Sequence, residues 1–176
     1  MQHVAFYAML DGGWPRGTER LVQVPFTGSS RSVLIVSHDA AGGGLSAERS
    51  VLVLVVERNP IVQRLEKFFL EQAGYTVEFA ADGVSALART RALHPAIVIS
   101  EILVPKMDGL TLCRTVKADP QLRDIIVLLF SHLSAEDRAI EAGADAFLNK
   151  PIDDRSLVET LRKLISKHEE SLRREP

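Results

Sequence analysis

From residue 51 onward the chain alternates short apolar runs with longer stretches of mixed character. VLVLVV (51–56), YTVEFA (75–80), AIVIS (96–100), IIVLLF (125–130) and AFLN (146–149) are of strand length and mostly non-alternating. Such runs suit parallel strands covered on both faces. Between them the apolar spacing is helical. Ile61, Leu65, Phe68 and Phe69 recur at helix spacing after Asn59-Pro60, an N-cap followed by proline at the first helical position, and Gly74 stops that helix. Ser134-Ala-Glu-Asp137 reads as a capping box, and Gly143 closes the helix it opens. Leu157, Leu161, Leu164 and Ile165 give the last helix its apolar stripe. Five strands alternating with five helices predict a doubly wound α/β domain over residues 51–168.

The first 50 residues follow another rule. Seven of the eleven glycines lie there, and turn signals such as DGG, PRG and AGGG break every periodic pattern. RLVQVPF (20–26) and RSVLIVS (31–37) are strand-like and could pair as a loose hairpin, but isolated strands need partners. The segment is therefore read as an irregular, poorly structured N-terminal extension. At the other end, KLISKHEESLRREP reads as a charged helix end and a tail over 169–176, a solvated face too short for a further domain.

Composition narrows the function classes. With 176 residues, 46% hydrophobic, the chain has room for one domain and an extension. A net charge of −2 lacks the basicity of a dedicated nucleic-acid binder. The longest apolar run is far short of a membrane span, and the N-terminus has no basic region of a secretory signal, so a cytoplasmic protein is expected. The single cysteine, Cys113, excludes an intrachain disulfide and suits a small buried hydrophobe on a helix face beside Leu112 and Val116. The histidines show no ligand spacing.

In a sheet of this kind, functional residues gather beyond the carboxyl ends of the strands. Those ends carry Glu57-Arg58, Glu101, Ser131 and Asn149-Lys150-Pro151. Two carboxylates, a hydroxyl, an arginine and a lysine would converge on one crevice, a combination suited to phosphate-scale charge.

VLVLVVERNP, SEILVPKMDG, LLFSH and GADAFLNKPID, in this order and spacing, resemble the motifs of the receiver domain of bacterial response regulators, the CheY-like superfamily, over about residues 51–168. The resemblance implies a flavodoxin-like strand order, 2-1-3-4-5. It also implies two-component signalling, in which a histidine kinase's phosphoryl group passes to an aspartate at the end of the third strand. Two acidic residues after the first strand hold Mg²⁺ with that aspartate. A Ser or Thr and a Lys bind the phosphoryl oxygens, and an aromatic residue in the fifth strand rotates. Ser131, Lys150 and Pro151 match this pattern, and Phe147 occupies the switch-aromatic position. Glu101 falls on the phosphoacceptor position and Glu57-Arg58 on the acidic pair, and both depart from the family.

Each departure carries an expectation. Glutamate places its carboxylate one methylene farther from the backbone, out of line for attack on a phosphoryl donor, while imitating part of the reach and charge of a phosphoaspartate. Its oxygens could approach Ser131 and Lys150. Arg58 removes one hard oxygen ligand and adds a cation, so Mg²⁺ is expected only if the domain works conventionally, with Glu57 the remaining candidate ligand. The Arg58 guanidinium could instead pair with Glu57 or Glu101. The expected protein is a stand-alone pseudo-receiver, not an enzyme, needing no cofactor and acting through protein contacts. The alternative is a conventional phosphoryl-accepting receiver with weak Mg²⁺-dependent autophosphorylation.

Expected partners are a histidine kinase or a downstream effector, with no nucleic acid and no membrane. Homodimerisation through the helix 4, strand 5, helix 5 face would use Ala139, Leu157 and their neighbours. Plainer roles compete at several positions: Glu101 as a salt-bridge partner of Lys150, Ser131 as a local loop cap, Phe147 as core, and Asp108 as a shaper of its loop. Arg16-Gly-Thr-Glu-Arg20 followed by Ser37-His-Asp-Ala-Ala-Gly42 bears a remote resemblance to a PilZ cyclic-di-GMP signature with its acidic and serine positions interchanged. Only eight residues separate Gly42 from the first receiver strand, too few for a complete barrel.

Overall fold

The computed structural model describes residues 20–23, 33–38, 45–151 and 154–174. Its main sheet is built from β4 (Leu52–Val56), β5 (Thr76–Ala80), β6 (Ile97–Ser100), β7 (Ile126–Ser131) and β8 (Ala146–Asn149), all parallel and ordered β5-β4-β6-β7-β8. Counted from β4 this is 2-1-3-4-5, the doubly wound order expected. The central strands β4, β6 and β7 are buried along their whole length, whereas β5 and β8 at the edges are largely half-buried. That difference explains why the central runs read as continuously apolar.

Successive side chains of each strand point to opposite faces. Leu54, Val56, Val98, Val127 and Leu129 pack with Ala86 of α2 (Gly83–Leu93), Leu112, Cys113 and Val116 of α3 (Gly109–Ala118) and Ala139 of α4 (Glu136–Glu141). Val53, Val55, Ile97, Ile99, Ile126 and Leu128 pack on the other face with Leu70 of α1 (Pro60–Gln72) and Leu157 and Leu161 of α5 (Asp154–Arg174). Each fully buried aliphatic side chain contributes roughly 1.5–3 kcal/mol. The two layers fix the sheet, and with it the row of strand ends.

Within the first 50 residues the described backbone forms a separate three-stranded sheet. β1 (Arg20–Gln23) pairs antiparallel with β2 (Val33–His38), the hairpin read from the sequence, and β2 pairs with β3 (Leu45–Ser50). The third strand, LSAERS, is too polar to have been recognised as one. Arg16 and Gly42 of the PilZ-like signature lie outside the described residues. At the carboxyl end α5 passes residue 168 and continues to Arg174.

Three local expectations need correction. The residues that marked α1 as a helix face outward: Ile61 is 70% exposed, Leu65 54% and Phe68 58%, while Phe69 is half-buried. The inward stripe is Val62, Glu66, Phe69, Leu70 and Ala73, so a carboxylate occupies a core-facing position. Apolar residues lie on more than one side of this helix, and spacing alone could not say which side packs. The capping box at 134–137 is not formed, because α4 begins at Glu136 with Ala135 at the N-cap and no side-chain cap. Ala139 and Leu157, assigned to a partner-facing surface, are 0% and 4% exposed and belong to the core. The signals that held are Asn59, whose side chain accepts the Ile61 N–H at the start of α1, and Gly74 and Gly143, whose φ values of 89° and 83° suit glycine.

Candidate functional site

Register brings the strand ends level. Val56 aligns with Ser100 across β4 and β6, and Ser131 with Asn149 across β7 and β8. The next residues are then held by the ladder: the Glu101 N–H donates to the Val56 carbonyl at 3.0 Å and the Lys150 N–H to the Ser131 carbonyl at 2.8 Å. Glu57, Glu101, Ser131 and Lys150 therefore project from four adjacent strands into one crevice. Glycine shapes the loop beyond β6. A Cβ on Gly109 would lie 2.5 Å from the Glu101 carbonyl oxygen, closer than real contacts permit, and a tight 3.0 Å from the Ser100 hydroxyl. Asp108 caps α3 by accepting the Thr111 N–H at 3.0 Å, the loop-shaping role expected of it.

Lys150 is the hub. Its Nζ donates to Glu57 Oε2 at 2.8 Å, lies 3.4 Å from Glu101 Oε2 and 3.6 Å from Glu66 Oε1, and sits 4.7 Å from the centroid of the Phe130 ring. Burial works to lower its pKa, but the bond to Glu57 and the charges of Glu66, Glu57 and Glu101 outweigh it and raise the pKa. The ammonium is firmly held in its charged form. The Lys150–Pro151 peptide is cis.

Glu101 is engaged on both oxygens. Oε1 accepts the Ser131 hydroxyl and the Ile102 N–H, the latter at 2.8 Å, while Oε2 faces Lys150. Ser131 also accepts the Leu133 N–H at 3.3 Å, so its local capping role coexists with the bond to Glu101. Glu57 is similarly occupied, its Oε1 accepting the Asn59 N–H at 2.8 Å. Phe147 is half-buried against the core layer on the α3 and α4 side.

Arg58 is exposed at the rim of the cleft and makes no ion pair among the described residues. The expected pairing with Glu57 or Glu101 is not formed, because Lys150 reaches both carboxylates from inside. Glu66 was not singled out from the sequence. It is 7% exposed, lines the same cleft, and its Oε2 has no hydrogen-bond partner. Burial is the main force raising its pKa to about 7, with Lys150 opposing and the charges of Glu57 and Glu101 adding to the rise. A glutamate inside the apolar spacing of α1 was the available signal.

These groups floor a cleft of about 370 Å³ whose walls include Val62, Leu65, Phe69, Leu103 and Leu157. The donor set does not fit Mg²⁺. Hard oxygens are needed, but the Glu57 and Glu101 carboxylates are committed to Lys150, Ser131 and backbone N–H groups, and the second acidic position is an outward arginine. No cluster of three or more metal-ligating side chains occurs among the described residues.

A five-stranded parallel sheet ordered 2-1-3-4-5, with carboxylate, hydroxyl and lysine at successive strand ends, belongs to the class of CheY-like doubly wound α/β domains. The model of the response regulator receiver domain matches residues 53–162, and the chain belongs to that family, a receiver of two-component signalling. It is 31% identical over 136 residues to the DNA-binding dual master transcriptional regulator RpaA of Synechocystis, covering 70% of this chain and 56% of RpaA. It is 40% identical over 118 residues to the response regulator PleD of Caulobacter vibrioides, covering 65% of this chain and 26% of PleD. The chain thus spans about half or less of these relatives. Among solved structures, the receiver domain of a signal transduction histidine kinase from Syntrophus aciditrophicus superposes with a TM-score of 0.64 at 36% identity, covering 67% of this chain and 92% of that one. Among the described residues no helix is long and apolar enough to cross a membrane.

Proposed function

We propose that this receiver signals without being phosphorylated, with Glu101 standing in for the phosphorylated aspartate of its relatives. The observation that carries the reading is the reach of Glu101. From the end of β6 its Oε1 already accepts the Ser131 hydroxyl, and its Oε2 lies 3.4 Å from the Lys150 ammonium. The family resemblance assigns those two partners to phosphoryl oxygens. A carboxylate of the chain itself makes the same contacts, with the extra methylene supplying the length.

Three further features support it. The acidic pair is reduced to Glu57, and Glu57 is held by Lys150 instead of being open to a divalent cation. Phe147 lies against the core, a packing that suits one settled arrangement of the switch aromatic. The Ser131 hydroxyl is tied to Glu101 and also accepts the Leu133 N–H, an arrangement that suits a held contact more than turnover. The module would act by contact with signalling proteins, a histidine kinase or an effector, with no metal cofactor. Homodimerisation through α4, β8 and α5 would use exposed positions such as Ile140, since Ala139 and Leu157 are buried.

Two-dimensional NMR of the wild type beside Glu101→Asp, each titrated with beryllofluoride and Mg²⁺, tests the reading. Unmoved Ser131 and Lys150 resonances in the wild type are expected, with any response confined to the aspartate variant. A saturable wild-type response at both residues contradicts it.

A further inference from the structure

Glu66 has no place in the phosphorylation machinery of the family, yet it is the most unusual group in the cleft. It projects inward from α1 between apolar neighbours, Val62 and Phe69, with one oxygen 3.6 Å from the Lys150 ammonium and the other without a partner. An ionised carboxylate in that setting lacks the bonds that would offset its desolvation, and the protonated form does not carry that penalty. We propose that the Glu66 carboxyl is a proton-binding site controlling the pocket, so that uptake of one proton decides whether Lys150 serves Glu101 or is shared with α1. The inference rests on the phosphorylation-independent reading and adds an input to it.

The charged groups around Glu66 come from the ends of β4, β6, β7 and β8. β4 contributes Glu57 and, at the rim, Arg58; β6 contributes Glu101, β7 contributes His132 and β8 contributes Lys150. From α5 the cleft receives the apolar Leu157, while Arg162 is directed to Tyr75. On β5, Glu78 pairs with Arg89 of α2. With Glu66 ionised, three carboxylates compete for one ammonium. With Glu66 protonated, Glu57 and Glu101 face Lys150 and Arg58, and the lining charges balance. The proton comes from bulk water through the open cleft and returns there, with no other co-reactant.

The observed distances lie between the two arrangements. Lys150 Nζ is closest to Glu57 and nearly equidistant from Glu101 and Glu66, at 3.4 and 3.6 Å. Ionisation of Glu66 strengthens its pull on the ammonium and lengthens the Lys150–Glu101 contact. Protonation releases the ammonium to Glu101 and consolidates the bond to Ser131. The same carboxylate that replaces the phosphoryl group is then loosened or tightened by pH. The raised pKa of Glu66, about 7, places the transition near neutrality, where a cell can use it.

The test is an NMR pH titration of the full chain across neutrality, following the Glu66 side-chain carboxyl carbon, the Ser131 and Glu101 amides and the Lys150 ammonium. Wild type, Glu66→Gln and His132→Gln are compared without any phosphodonor. The expected result is a Glu66 midpoint near 7, the same midpoint at Ser131, Glu101 and Lys150, its persistence in His132→Gln and its loss in Glu66→Gln. A Glu66 carboxyl that titrates near its ordinary value of 4.5 overturns the proposal. So does a Ser131 and Lys150 transition that survives in Glu66→Gln or disappears with His132. If Glu66→Gln does not fold, the wild-type carboxyl midpoint and the His132→Gln control decide the matter. A parallel wild-type titration with beryllofluoride and Mg²⁺ separates the two claims: a response there contradicts phosphorylation independence and leaves the proton site standing, whereas silence there with a Glu66 midpoint near 4.5 removes the proton site alone.

Discussion

Glu66 and Lys150 show how one buried charge governs the behaviour of its neighbours. The folded chain holds the Glu66 proton more tightly than the unfolded chain does, so the associated stability is fully present below pH 4.5 and is lost as pH rises to about 7. At roughly 1.4 kcal/mol per pH unit, the move corresponds to about 3 kcal/mol. Urea denaturation between pH 5 and pH 8 should show wild-type stability falling with pH, and Glu66→Gln should remove most of that slope. Equal slopes in the two proteins would show that Glu66 is not the group responsible. Lys150→Met leaves Glu57, Glu66 and Glu101 buried without their cation. Breaking such a pair costs about 3–5 kcal/mol, and the deficit should be largest above pH 7 and shrink on acidification, as calorimetry at two pH values would reveal.

At the scale of single elements, α1 and the loop after β6 carry the sharpest expectations. Because Ile61, Leu65 and Phe68 are exposed, Leu65→Gln and Phe68→Gln should change stability by no more than about 0.5 kcal/mol. Leu70→Ala on the inward face should cost about 2–5 kcal/mol. Chemical denaturation of the three variants distinguishes this orientation of the helix from its opposite. Gly109→Ala drives a methyl group against the Glu101 carbonyl. It should cost about 1–3 kcal/mol and shift the Ser131 and Glu101 amide resonances.

The strands of the main sheet were legible to within a residue or two, the central β4, β6 and β7 because they are buried on both faces and must be apolar throughout, whereas the polar β3 was not. The inward face of α1 was not legible either, whereas the α5 stripe of Leu157, Leu161, Leu164 and Ile165 packs as it was read. In α1 two apolar stripes compete, and the one that packs contains a glutamate, which pattern reading assigns to solvent. Ser134 failed as a cap because α4 starts later, and a motif of that form says nothing about whether the chain is helical there. Glu66, His132 and the Phe130 ring could not be named in advance from the strand ends, whereas Glu57, Arg58, Glu101 and Lys150 of the cleft could. Their pairing could not, since Arg58 and Lys150 were equal candidates until register placed one inside and the other at the rim.

Over the whole molecule, the parallel order β5-β4-β6-β7-β8 puts the ends of β4, β6, β7 and β8 in a row, and everything proposed for function depends on that alignment. The family relation supplies the signalling context, while the residues at those ends determine which input the domain can receive. A carboxylate already joined to Ser131 and facing Lys150 leaves a phosphoryl group without its usual partners. Intact-mass measurement of the full chain after incubation with a small acyl phosphate and Mg²⁺, beside a phosphorylatable receiver treated in the same way, tests this most directly. No added phosphoryl group is expected on the wild type. Stoichiometric addition mapped to Glu101 would contradict it.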